Sequence, residues 1–229
     1  MSEIGVVYTA RGSNVGSGLP DWKARFPRFV KSYLEHPAGI DHALYIFYKE
    51  FAVPPDLAWA REQFVKLGNR VEILNHLDSK TTAGCADVCD TVLEALICPL
   101  NSSTEIMHDN WLKKLYDVLK RPKTHLVGCT GSNVATQHIR DTAFLSGRVR
   151  YVEIARQFDW LAPDRSGALE FEHGPNNFTQ QILRAGEKVY VVEKDRILEP
   201  HEWPSPTTYQ GNLNNVLVHD RGARDYKDT

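Results

Sequence analysis

Residues Leu96 to Ile106 read LICPLNSSTEI, an apolar run that breaks at Pro99 into an amide, three hydroxyls and one carboxylate. Polar groups packed at the end of a buried strand suit two jobs. Asn101, Ser102, Ser103 and Thr104 can turn the chain and cap the next element, or they can present hydrogen-bonding groups to a ligand. A second cluster lies in LEFEHGPNN, where Glu170, Glu172 and His173 stand just ahead of a predicted helix. Asn176 and Asn177 there suit capping of its free N–H groups. A carboxylate such as Glu172 or Glu170 can also act as a general base, provided an acceptor hydroxyl comes within hydrogen-bond reach.

Other chemistries lack their spacing. RGSNVGSG has three glycines but neither the GxGxxG that opens a dinucleotide-binding helix nor the GK[ST] of a P-loop, and TGSNVATQ lacks them too. No GxSxG elbow and no HExxH occurs, and the nine histidines are scattered. Cys85 and Cys89 are one helical turn apart, which suits packing on a helix. The four cysteines are too few and too uneven for a disulfide framework, so reduced thiols are expected. With 27 basic and 29 acidic residues spread without long blocks of one sign, the chain has no bulk attraction to polyanions, which argues against nucleic acid as a partner. No apolar run approaches the roughly 20 residues of a membrane span and the N-terminus does not read as a signal peptide, so a cytoplasmic location is the expectation.

The elements that must position these residues alternate between apolar runs and amphipathic segments. That is the pattern of a mostly parallel α/β sheet. IGVVYTA, DHALYIFYKEF, RVEILNHLD (ending at Asp78), LICPLN, HLVGCTGS and EKVYVVEKDR read as strands. DWKARFPRFVKSYLEHPAG, PPDLAWAREQFVKLGN and DNWLKKLYDVLKRPKTH read as helices, the last with Asp109 as N-cap, and KTTAGCADVCDTVLEAL as a shorter one. EHGPNNFTQQILRAG reads as a turn and a helix stopped by Gly186, while residues 133–165 show no regular pattern. Parallel sheets bind ligands beyond the carboxyl ends of their strands. Those ends are Thr9 to Gly12, Lys49 and Glu50, Asp78, Asn101 to Glu105, and Thr130 to Asn133.

VVYTARG, FVKSYLEHPAGIDHALYIFYKEF, PLNSSTEIMHDNWLKKL, LVGCTGS, FEHGPNNFTQQILRAGEKVYVVEKD and WPSPTTYQGNLNNVLVHDRGARDY together resemble, in order and character, the bacterial GT-A-like glycosyltransferases of the nucleotide-diphospho-sugar transferase superfamily. The resemblance implies an αβα sandwich with a mostly parallel central sheet. It further implies one domain over residues 1–229, with residues 1–132 binding the nucleotide-sugar and residues 133–229 facing the acceptor. The implied function is transfer of a sugar from a nucleotide-sugar donor to an acceptor hydroxyl, the acceptor being unknown. Alternatives are a non-catalytic sugar or nucleotide-sugar binding protein, or a phage-type sugar transferase acting on modified nucleic-acid bases.

By the same resemblance, Thr9, Ala10 and Arg11 face the nucleotide, Asp78 contacts its base or ribose, Lys49 reaches a phosphate, and Glu172 deprotonates the acceptor. The strand ending at Asn101 leads, in that superfamily, into an Asp-x-Asp motif that holds Mn2+ or Mg2+ on the donor diphosphate. Here Asn101, Ser102 and Ser103 stand in its place, which puts the metal in doubt. Asp78, Asp87 or Glu105 could supply a carboxylate, with His219 as a late metal contact. Arg11 or Lys49 could neutralise the diphosphate without metal, or catalysis could be lost and binding kept.

Overall fold

The computed structural model describes residues 2–13, 22–74, 88, 91–133, 136–160, 166–203 and 213–220. Asp78, Cys85, Asp87 and Cys89 lie outside them. IGVVYTAR is apolar on both faces, as a strand covered on both sides must be, and forms β1, Ile4–Arg11. The chain then supplies α1 (Trp22–Glu35), β2 (Ala43–Lys49), α2 (Pro54–Phe64), β3 (Val71–Leu74), β4 (Leu96–Leu100), β5 (Glu105–Ile106) and α3 (Trp111–Leu119). It continues with β6 (Thr124–Gly128), β7 (Gly131–Ser132), β8 (His138–Ile139), β9 (Phe144–Gly147) and α4 (Arg148–Ala155). Last come α5 (Ser166–His173), α6 (Phe178–Arg184), β10 (Lys188–Val192), β11 (Ile197–Leu198) and β12 (Val218–His219).

Eight strands form one sheet in the order β11-β10-β6-β9-β4-β1-β2-β3. β1 runs parallel to β2 and β4, and β2 to β3, whereas β9 is antiparallel to both β4 and β6. Two apolar layers cover the sheet. On one face Phe26, Phe29, Phe64, Trp111 and Leu115 of α1, α2 and α3 pack on Val6, Tyr8 and Ile46. On the other, Tyr151, Phe171, Phe178 and Ile182 of α4, α5 and α6 pack on Val7, Phe47 and Leu126. The architecture is the expected αβα sandwich.

Several local expectations shift. HLVGCTGS is a strand only to Gly128; beyond it Gly131–Ser132 pairs with His138–Ile139 in a separate hairpin. Residues 133–165, without pattern in the sequence, hold β8, β9 and α4, elements too short to show a period. Glu170 to His173 do not precede a helix but close α5. The next helix, α6, is capped by Asn177, whose side chain accepts from the Gln180 N–H at 2.9 Å. Asp109 is not the cap of α3. Asn110 holds that position at φ 59° without a side-chain cap; its N–H donates to the Pro37 carbonyl at 2.7 Å, while Asp109 meets His36 Nδ1 at 2.9 Å. Cys98 and Cys129 are buried free thiols. No described helix is long and apolar enough to cross a membrane.

Candidate functional site

The carboxyl ends of β1, β2 and β4 lie side by side, with Arg11 in register with Lys49 and Tyr8 in register with Leu100. Arg11 and Lys49 therefore share one edge with the turn after Leu100. Glu50, next in the chain, adopts a left-handed backbone at φ 56°, uncommon for a residue with a side chain. Its carboxylate accepts from Arg11 Nε and from the Ser13 hydroxyl, with Lys49 Nζ at 3.6 Å. Partial burial pushes the Glu50 carboxyl up, yet the hydrogen bonds from Ser13 and Arg11 and the two nearby cations outweigh it and hold the group below the usual carboxylate range. Thr9 and Ala10 stand just inside this edge on β1.

The Asn101–Thr104 turn folds on itself. Asn101 Oδ1 accepts from the Ser103 N–H at 2.9 Å and from the Thr104 hydroxyl at 3.4 Å, an Asx-type turn. The Tyr8 hydroxyl donates to the Ser102 carbonyl at 3.2 Å, and Arg25 Nη1 donates to Ser102 Oγ at 3.3 Å. Arg25 is only 6% exposed, a charge on the apolar face of α1 among Trp22, Phe26 and Phe29. Below the turn, Ser32 Oγ of α1 accepts from the Ile106 N–H at 3.0 Å. Glu105 and His219 are register partners across the β5–β12 pair, so their side chains share a face.

The Asn101 N–H donates to Thr142 Oγ1 at 3.1 Å, which ties this turn to the segment bearing Arg140 and Asp141. Arg140 Nε lies 3.2 Å from Asp220 Oδ2 and 3.9 Å from Glu172 Oε1. Glu172 is pushed up to about 8, first by burial and then by the charges of Asp141 and Asp220, against Arg140 and the Asp141 N–H. Burial and the Asp220 charge also hold the Cys129 thiol above its ordinary range. The cluster thus holds a buried carboxyl of raised proton affinity, linked through the Arg140–Thr142 segment to a hydroxyl-rich turn. A groove of about 490 Å³ lined by Asp41, His42, Asn69 and Arg70 lies at the opposite edge, at the amino ends of β2 and β3.

His138 closes the cluster, its ring 5.5 Å from that of His173 in an edge-on arrangement. Burial first, and then the charges of His173 and Arg140, lower it to about 4 against the opposing hydrogen bond to the Thr136 carbonyl. A histidine held neutral in the fold stabilises it above the ordinary value near 6.5, and that contribution is lost as pH falls through about 4. On acidification from pH 7 to 4, wild type is expected to lose about 3 kcal/mol more than His138→Asn in urea unfolding. Parallel acid limbs for the two proteins would show that His138 already carries its charge in the fold.

Of the residues singled out in the sequence, Thr9, Ala10, Arg11, Lys49, Asn101, Ser102 and Ser103 stand at one edge of the sheet, with Glu172 joined to it through Thr142 and Arg140. Glu105 and His219 pair with each other on the adjoining small sheet. Arg25, Arg140 and Asp141 escaped the sequence reading. Arg25 alone left a trace there, a charge interrupting a helix's apolar face.

No family model matches the chain, and no curated protein does. Solved structures do match. The mannosyltransferase PcManGT from Pyrobaculum calidifontis, in complex with GDP-Man and Mn2+, superposes with a TM-score of 0.58 at 8% identity over 82% of this chain and 54% of its own. The chain thus spans about half the length of that enzyme. A protein of Desulfovibrio desulfuricans assigned as a nucleotide-diphospho-sugar transferase gives 0.52 at 13% identity, covering 82% of this chain and 79% of that one. The 4-diphosphocytidyl-2C-methyl-D-erythritol synthase of Anaerococcus prevotii gives 0.51 at 14% identity, covering 83% and 86%. At such identities the likeness speaks for the fold alone, a GT-A-like αβα sandwich.

Proposed function

We propose that the protein transfers a sugar from a nucleotide-sugar donor to an acceptor hydroxyl, working in the cytoplasm as one domain over residues 1–229. Glu172 takes the acceptor's proton as its oxygen attacks the anomeric carbon. The bond from that carbon to the diphosphate oxygen breaks, and the electron pair leaves with the nucleoside diphosphate. A single displacement of this kind inverts the anomeric centre. Thr9, Ala10, Arg11, Lys49, Asn101, Ser102 and Ser103 form the donor side, where cations and hydroxyls offset the charge growing on the leaving group.

What supports this reading is Glu172, a buried carboxyl raised to about 8 that lies 3.9 Å from Arg140, on the segment tied to the turn after β4 of a GT-A-like fold. A base with a pKa near the working pH is ionised in part and still draws a proton strongly. The GDP-Man held by the Pyrobaculum enzyme supports a nucleotide-sugar as the donor class. One observation favours a second reading, a non-catalytic nucleotide-sugar binder: no carboxylate stands at 101, 102 or 103.

Incubating the full chain with UDP- and GDP-sugars separates the two. Slow release of nucleoside diphosphate without acceptor, beside measurable binding, is the expected result. Binding with no release, whatever sugar or alcohol is added, would leave the binder; neither binding nor release would remove both readings.

A further inference from the structure

Resting on the transferase reading, we infer that the donor's diphosphate is bound without a divalent ion, by a hydroxyl-lined turn that Arg25 polarises from behind. A hard cation needs oxygen lone pairs, with carboxylates the strongest donors. At the turn after β4 there is no carboxylate, and several of the oxygens are already engaged. Asn101 Oδ1 already accepts from the Ser103 N–H and the Thr104 hydroxyl, the Ser102 carbonyl accepts from Tyr8, and Ser102 Oγ accepts from the Arg25 guanidinium. A guanidinium behind Ser102 also repels any dication that approaches its hydroxyl. Among the described residues no three His, Cys, Asp or Glu side chains gather as a metal site, and Glu105 with His219 gives two ligands on the neighbouring small sheet. These residues do not fit the ion seen with the Pyrobaculum enzyme.

They fit an anion. A hydroxyl that accepts from a guanidinium turns its hydrogen away from that charge and becomes a stronger donor. Arg25 is held for this task by burial, at 6% exposure, in the first turns of α1. On the adjacent strand ends Arg11 and Lys49 add cationic donors, with Arg11 aimed by Glu50. Arg25 is accordingly a positioning residue: it acts on the phosphate oxygen through Ser102.

Calorimetric titration of the full chain with UDP and with GDP, each in EDTA and in Mn2+, tests this. The tighter-binding nucleotide is expected to bind with the same affinity within about twofold in both buffers. Loss of a charge-assisted contact in Arg25→Met is expected to weaken binding about tenfold or more in either buffer, with partial recovery in Arg25→Lys. Ser102→Ala deletes one hydroxyl without removing a buried charge, and it is expected to weaken binding several-fold even should Arg25→Met fail to fold. Binding that requires Mn2+, or tightens tenfold with it, overturns the inference and leaves the transferase reading standing, above all if Glu105→Gln or His219→Ala abolishes the gain. Wild-type affinity in Ser102→Ala also overturns it. Absence of binding in every buffer removes the transferase reading and the inference together.

Discussion

Glu172→Gln lowers turnover by about 10²–10⁴-fold with the donor still bound, because glutamine keeps the size and the acceptor oxygen of the side chain but takes up no proton. With its carboxyl raised to about 8, wild-type kcat/KM is expected to climb tenfold per pH unit below that value and to level off above it. The residual activity of Glu172→Gln should lack this limb. Fold stability provides an internal control of opposite sign. A carboxyl whose folded pKa exceeds its ordinary 4.5 contributes stability that is complete below 4.5 and is lost as pH rises through about 8. Glutamine is neutral throughout, so the variant is expected to resist urea at least as well as wild type at pH 8 and to match it more closely at pH 4. A variant that loses activity while gaining stability cannot owe the loss to unfolding. Full activity in Glu172→Gln, or an unchanged pH limb, would move the base elsewhere.

The parts of this site that the sequence discloses are those that local chemistry determines. β1, β2 and β4 are continuous apolar runs because both faces of the sheet are covered, so their ends, and with them Arg11, Lys49 and Asn101, can be located by reading along the chain. Asn177 declares itself as a cap for the same local reason. β9 has four residues, FLSG, and sits antiparallel between β4 and β6, a placement decided by pairings with residues distant in the chain. The proton affinity of Glu172 is also non-local, since Asp141 and Arg140 approach it from one distant segment and Asp220 from another. Even the Asn101 turn is only half legible. Its polar composition is plain, but the commitment of its oxygens inward depends on Tyr8 and Arg25 from β1 and α1.

The helix that bears Glu172 depends on one side chain. α5 has eight residues, too few to hold a helix in water alone, and its buried positions are Gly167, Ala168 and Phe171. A Cβ at Gly167 would fall 1.8 Å from the Asp159 carbonyl oxygen, so the helix already lies against backbone there and has no room to bury more. Phe171 supplies the anchoring. Its ring stacks on Phe178 at 5.5 Å and meets Tyr151, Phe158 and Trp160 at centroid distances of 5.9, 5.4 and 5.0 Å. Phe171→Ala is therefore expected to cost about 3–5 kcal/mol in urea unfolding, a large share of a typical domain's stability. Leu169→Ala, on the exposed side of the same helix, should cost no more than about 0.5 kcal/mol. Where the Phe171 variant remains folded, faster amide exchange should be confined to α5 and its contacts. Water reaching Glu172 would then lower its proton affinity, and the activity limb should shift to more acidic pH. A Phe171→Ala protein with wild-type stability would mean that α5 is held by something other than this aromatic cluster, and a destabilised one with an unmoved limb would uncouple Glu172 from the helix that carries it.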